Sequence, residues 1–120
     1  MPRPIAVLAE DEPLIRIETA MMLEELGFDV MEANCGRAAL QHLEAMGGAA
    51  LLYTDVDMPG GLDGFELAHS VTARWPRTAV IVCSGCLPKV AAGLPYKARF
   101  IAKPCAERSV REALQALSLQ

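Results

Sequence analysis

Leu51-Leu52-Tyr53-Thr54-Asp55-Val56-Asp57-Met58-Pro59-Gly60-Gly61 is an apolar run that ends abruptly in two carboxylates and a Pro-Gly-Gly break. A short apolar run bounded by turn residues reads as a buried strand. Asp55 then stands where that strand leaves the core, a costly place for an acid without a partner. The fold and the chemistry both follow from how the rest of the chain meets this strand end.

Toward the N-terminus, Ile5-Ala6-Val7-Leu8-Ala9 is continuously apolar, as in a strand covered on both faces of a parallel sheet. Pro13 suits the first turn of a helix and Gly27 its stop. Between them Leu14, Ile17 and Met21 fall on one stripe and Ile15, Met22 and Leu26 on a second, which predicts a broad apolar surface for this helix. Residues 28–33 suit a second strand, and Ala39, Leu43 and Met46 follow at helical spacing before Gly47-Gly48.

Toward the C-terminus, Phe65, Ala68, Val71 and Thr72 predict a helix stopped by Trp75-Pro76, and residues 79–83 a buried strand. Gly85, Pro88, Gly93 and Pro95 leave room for only a short or irregular fourth helix across residues 85–97. Residues 99–102 suit a last strand, and Val110, Leu114 and Leu117 mark the closing helix. Alternating strands and helices predict an α/β fold, a doubly wound five-stranded parallel sheet with helices on both faces.

Size and composition agree. The 120 residues make one domain, with 52% apolar residues, 22% charged residues and a net charge of −4. Scattered Lys and Arg exclude the basic footprint of a nucleic-acid binder. No run approaches membrane-spanning length and no signal-peptide core is visible, so no membrane contact and a cytoplasmic setting are expected. In that setting Cys35, Cys83, Cys86 and Cys105 are expected as reduced thiols. Cys83-Ser84-Gly85-Cys86 lacks the second Cys pair of a zinc site and the helix start of a thioredoxin-like one. His42 and His69 read as surface residues of helices.

Open parallel sheets bind ligands at the carboxyl ends of their strands. Here those ends carry Glu10-Asp11, Asp55, Ser84 and Lys103. Three carboxylates on one rim repel one another unless a cation sits among them, and oxygen donors suit a hard ion such as Mg²⁺. Such an ion and Lys103 would together neutralise a phosphoryl group, with Ser84 donating to it and a carboxylate acting as nucleophile. The expected chemistry is phosphoryl transfer to an aspartate.

The whole chain resembles a response-regulator receiver domain, the CheY-like phosphoacceptor module of two-component signalling. The match rests on Val7-Leu8-Ala9-Glu10-Asp11-Glu12, Thr54-Asp55-Val56-Asp57-Met58-Pro59, Asp63-Gly64-Phe65-Glu66-Leu67, Cys83-Ser84-Gly85 and Phe100-Ile101-Ala102-Lys103-Pro104. The resemblance implies a flavodoxin-like strand order 2-1-3-4-5 and Asp55 as phosphoacceptor. It implies Mg²⁺ held by Glu10, Asp11, Asp55 and the Asp57 backbone carbonyl. Ser84 and Lys103 would contact the phosphoryl group, and Phe100 matches the aromatic switch residue. Gly60-Gly61 lengthens the loop after Asp55 by one residue relative to the commonest receivers.

The implied partner is a histidine kinase or histidine phosphotransfer protein, with a homodimer as a further option. No linker or second hydrophobic pattern follows the closing helix, so a stand-alone receiver without an output domain is expected. Asp55-Val56-Asp57 also matches the Asp-x-Asp of haloacid-dehalogenase-type phosphatases, but that family places it after its first strand. A third reading is an interaction module that has lost phosphorylation. Lys103→Ala is expected to leave stability nearly unchanged or to raise it.

Overall fold

A computed structural model describes residues 3–58, 61–84, 98–103 and 107–117 of the chain. Five strands form one parallel sheet: β1 Ile5–Ala9, β2 Asp29–Ala33, β3 Leu51–Asp55, β4 Ala79–Ser84 and β5 Arg99–Ala102. Their order is β2-β1-β3-β4-β5. Among the described residues four helices pack on it: α1 Pro13–Glu25, α2 Gly36–Met46, α3 Gly64–Arg74 and α4 Glu107–Ala116. The expected α/β class, parallel sheet and strand order are all observed. The helix expected across residues 85–97 lies outside the described residues.

Strand alternation sorts the core into two layers. Val7, Ala9, Leu52, Val80 and Val82 face Ala39 and Leu43 of α2 and Leu67, Ala68 and Val71 of α3. Ala6, Leu8, Leu51, Tyr53, Ile81 and Cys83 face Ala20 and Leu23 of α1 and Val110 and Leu114 of α4. Inside the sheet both faces are covered, which is why β1 and β3 read as unbroken apolar runs.

Local chemistry fixes the helix starts. Pro13 follows the Glu12 cap, whose carboxylate accepts from the Ile15 amide at 2.8 Å. Asp63 and Glu66 form a reciprocal capping box on α3, and Cys35 Sγ accepts from the Ala38 amide at the start of α2. At the far end of α2, Gly47 closes the helix at φ 71°, a left-handed conformation that favours glycine.

α1 departs from the expected pattern. Its buried side carries Ala20 and Leu23, while Leu14, Ile15, Ile17 and Met21 are exposed. Sequence periodicity gave two apolar stripes, and the helix is rotated so that small Ala20 approaches the sheet and the first stripe faces outward.

The thiols also depart from expectation: Cys83 is disulfide-bonded, while Cys35 is free. Cys86 and Cys105 lie outside the described residues. Spacing along the chain does not report whether two Cβ vectors face one another, and that is what a disulfide requires.

Candidate functional site

Strand register builds the site. Ala33, Ala9, Thr54, Val82 and Phe100 lie in one row across the sheet. One residue further along, β3 presents Asp55 opposite Cys83 of β4, with Glu10 just past the end of β1. Glu10, Asp55 and Lys103 therefore emerge at the same carboxyl edge.

Oxygens of Glu10, Asp11 and Asp55 lie within 4.8 Å of one another. Glu10 and Asp55 are buried and Asp11 is exposed, so the cluster opens to solvent on one side. Lys103 Nζ stands 2.9 Å from Asp55 Oδ1. The same oxygen accepts from the Val56 amide at 2.9 Å. Glu10 Oε2 accepts from the Glu12 amide at 3.0 Å, and its carbonyl accepts from Arg16 at 3.0 Å.

The electrostatics follow from this crowding. Burial pushes the Glu10 carboxyl up, and the charge of Asp55 and a hydrogen bond that the protonated carboxyl donates to Asp11 add to it against the opposing Glu12 amide and Lys103. Burial pulls the Lys103 ammonium down, but its hydrogen bond to Asp55 and the charges of Asp55, Glu10 and Asp57 outweigh this and hold it above its ordinary value. Burial, then Glu10 and Asp55, push the Tyr53 phenol above its ordinary range.

Other expected residues take more distant places. Asp57 is exposed, and its side chain is not part of the oxygen cluster. Ser84 is buried at the end of β4, where its carbonyl accepts from the Lys103 amide at 2.9 Å. That bond ties the hydroxyl-bearing strand end to the lysine. Phe100 is half-buried against the α2/α3 layer, on the opposite face of the sheet from Asp55.

Two features escaped sequence reading. Gly64, the first residue of α3, donates its amide to Val56 O at 2.9 Å, and a Cβ there would lie 2.1 Å from the Asp55 carbonyl oxygen. Phe65 opened the expected helical pattern, but nothing in it signalled that contact. Tyr53 is buried below Asp55 on the same strand face, and its hydroxyl has no hydrogen-bond partner among the described residues.

The arrangement is a carboxylate held against an ammonium beside two further acids. A family model described as response regulator receiver domain matches residues 6–115. The chain belongs to the response regulator receiver domain family.

Other receivers share its architecture. A response regulator receiver protein from Sinorhizobium medicae superposes with a TM-score of 0.86 at 19% identity, covering 94% of this chain and 92% of that one. The receiver domain of the hybrid histidine kinase CckA superposes at 0.79 with 29% identity, covering 97% and 99%. Among curated proteins, the Vibrio cholerae CAI-1 autoinducer sensor kinase/phosphatase CqsS is 32% identical over 81 residues. Sensor protein EvgS of Escherichia coli K12 is 42% identical over 72. These alignments cover 66% and 59% of this receiver but only 12% and 6% of the sensor proteins. Receivers of this family serve two-component signalling. Among the described residues no helix is long and apolar enough to cross a membrane.

Proposed function

We propose that this receiver accepts one phosphoryl group on Asp55 from a histidine kinase or histidine phosphotransfer protein. The observation that carries the reading is the Asp55–Lys103 pair at 2.9 Å inside the Glu10, Asp11 and Asp55 cluster. Burial separates Asp55, 6% exposed, from the exposed Asp57, which favours Asp55 as acceptor.

An Asp55 carboxylate oxygen attacks the phosphorus, an acyl phosphate O–P bond forms, and the P–N bond to the donor imidazole breaks. The leaving imidazole keeps that electron pair. Lys103 moves its contact from the carboxylate to a phosphoryl oxygen, and the Ser84 hydroxyl donates to another. Hard oxygen donors with one solvent-facing member fit Mg²⁺, with Glu10, Asp11, Asp55 and the Asp57 carbonyl as the proposed ligands. When bound, Mg²⁺ supplies positive charge to neutralise phosphoryl oxygens.

The exposed apolar side chains of α1, among them Leu14 at 67% and Met21 at 58%, belong to the helix that starts just after Glu10 and Asp11. They support docking of a protein phosphodonor through this helix. The output is carried by changed protein contacts or by passing the phosphoryl group onward. We propose a cytoplasmic setting for this domain.

Intact mass after incubation with acetyl phosphate tests the assignment. One added phosphoryl group is expected with Mg²⁺ and none with a chelator, with labelling lost in Asp55→Asn and retained in Asp57→Asn. Equal labelling of the two variants would overturn it.

A further inference from the structure

A cavity of about 620 Å³ lies between the sheet and α1, directly below the phosphoacceptor. Leu8, Ala9, Ile15 and Met22 supply apolar wall, and Glu10, Asp55 and Lys103 close one end. The volume is in the range of small-molecule sites, which pair apolar walls with a few placed polar groups. The phosphoryl chemistry uses only the acidic end.

Tyr53 lines the same cavity, is 4% exposed, and carries a hydroxyl without a hydrogen-bond partner among the described residues. A buried hydroxyl left unpaired is costly, so a phenylalanine there would be better unless something accepts from the phenol. Thr19 supplies a second hydroxyl-bearing side chain from α1. Among the described lining residues Glu10, Glu18 and Asp55 outnumber Lys103, and Lys103 is already paired with Asp55. That balance disfavours an anionic occupant.

We propose that this cavity is a binding site for a small, uncharged, largely apolar molecule with one carbonyl-type acceptor, which takes the Tyr53 hydroxyl while Leu8, Ile15 and Met22 enclose its apolar part. No covalent step is involved. The site goes beyond phosphoacceptance, and because Asp55 and Lys103 form part of its wall, any effect of the ligand on phosphorylation is matched by the reverse effect.

The test is an amide and methyl NMR titration of the full chain, without Mg²⁺ or phosphodonor, using acetophenone, acetanilide and cyclohexanone as neutral carbonyl probes. Benzoate serves as the anion of similar size. Expected are saturable shifts centred on Leu8, Ile15, Met22 and Tyr53 with at least one neutral probe, and none with benzoate. Tyr53→Phe should keep the folded spectrum and weaken the probe about fivefold, the scale of one lost hydrogen bond. Thr19→Phe, which fills the cavity from α1, should abolish the shifts. Absence of saturable shifts with all three probes would mean a cavity that holds water only and overturn the proposal. Equal binding by Tyr53→Phe, or equal binding of benzoate, would overturn it as well. None of these readouts depends on Asp55 accepting a phosphoryl group, so the site and the phosphoacceptor assignment fail separately.

Discussion

The two faces of the sheet are built to different standards. On the α2/α3 face, Leu43, Leu52, Leu67 and Val71 are fully buried, and Gly36 and Gly64 approach neighbouring backbone too closely for a Cβ. On the α1 face a cavity separates helix from sheet, a tyrosine hydroxyl has no partner among the described residues, and four large apolar side chains of α1 lie exposed. Asp55 sits at the boundary, with its backbone clamped by α3 through Gly64 and its carboxylate turned toward the loose side. A closely packed face thus holds the proposed acceptor while the open face leaves it reachable.

The sharpest break of this contrast is steric. Gly64→Ala should lower stability by about 3 kcal/mol, because the added methyl meets the backbone at Asp55 and Val56 rather than a flexible side chain. Urea unfolding measures it, and a loss below about 1 kcal/mol would show that the closely packed face yields. Leu67→Ala, on the same face, should cost a comparable 2–5 kcal/mol, roughly the range for truncating a fully buried leucine.

Lys103 is more engaged than its surface-like sequence setting suggests, since it pairs with an otherwise buried carboxylate. Lys103→Met should therefore destabilise the metal-free protein by on the order of 1–2 kcal/mol, with Mg²⁺ recovering part of the loss. Chemical denaturation with chelator and with Mg²⁺ separates the two conditions.

Glu10 differs from Lys103 in that folding disfavours its charged form. Its folded-state carboxyl titrates above the ordinary value of 4.5, so the folded state holds this proton more tightly than the unfolded chain. Its favourable contribution is full below that value and is lost as pH rises through the raised one. In chelator, stability should fall with pH across that interval, and Glu10→Gln should remove the slope and add on the order of 1 kcal/mol at neutral pH. The Lys103 contribution lies elsewhere: it persists below the ordinary value of 10.5 and is lost above its raised one. The smallest expected effect is Ile17→Ala, within about 0.5 kcal/mol, because this side chain is half exposed on the open face. A loss near that of Leu67→Ala would erase the difference between the faces.

Strand ends were the legible part of the site. Apolar runs end where a parallel sheet ends, so Glu10, Asp55 and Lys103 could be assigned to one rim before any coordinates. Helix rotation was not legible in α1, because Leu14, Ile17 and Met21 follow helical spacing as well as the residues that are buried. The Gly64 contact depends on how closely α3 meets β3, and the Tyr53 hydroxyl's lack of a partner among the described residues depends on what α1 fails to fill. Neither leaves a periodic trace. The Cys83 disulfide was misread because compartment and spacing speak only to average behaviour. The short or irregular fourth helix expected across residues 85–97 lies outside the described residues.

The most direct test of a closely packed face holding the proposed acceptor for an open one is an amide NMR comparison of the free protein with its Mg²⁺ and beryllofluoride complex, in which the fluoride stands for the phosphoryl group. Predicted are the largest shifts at residues 10–12, 55–57, 84 and 103, continuing into α1 at residues 15–22, with α2 residues 39–46 and α3 residues 67–74 nearly unchanged. Larger shifts in those parts of α2 and α3 than in α1 would contradict the account.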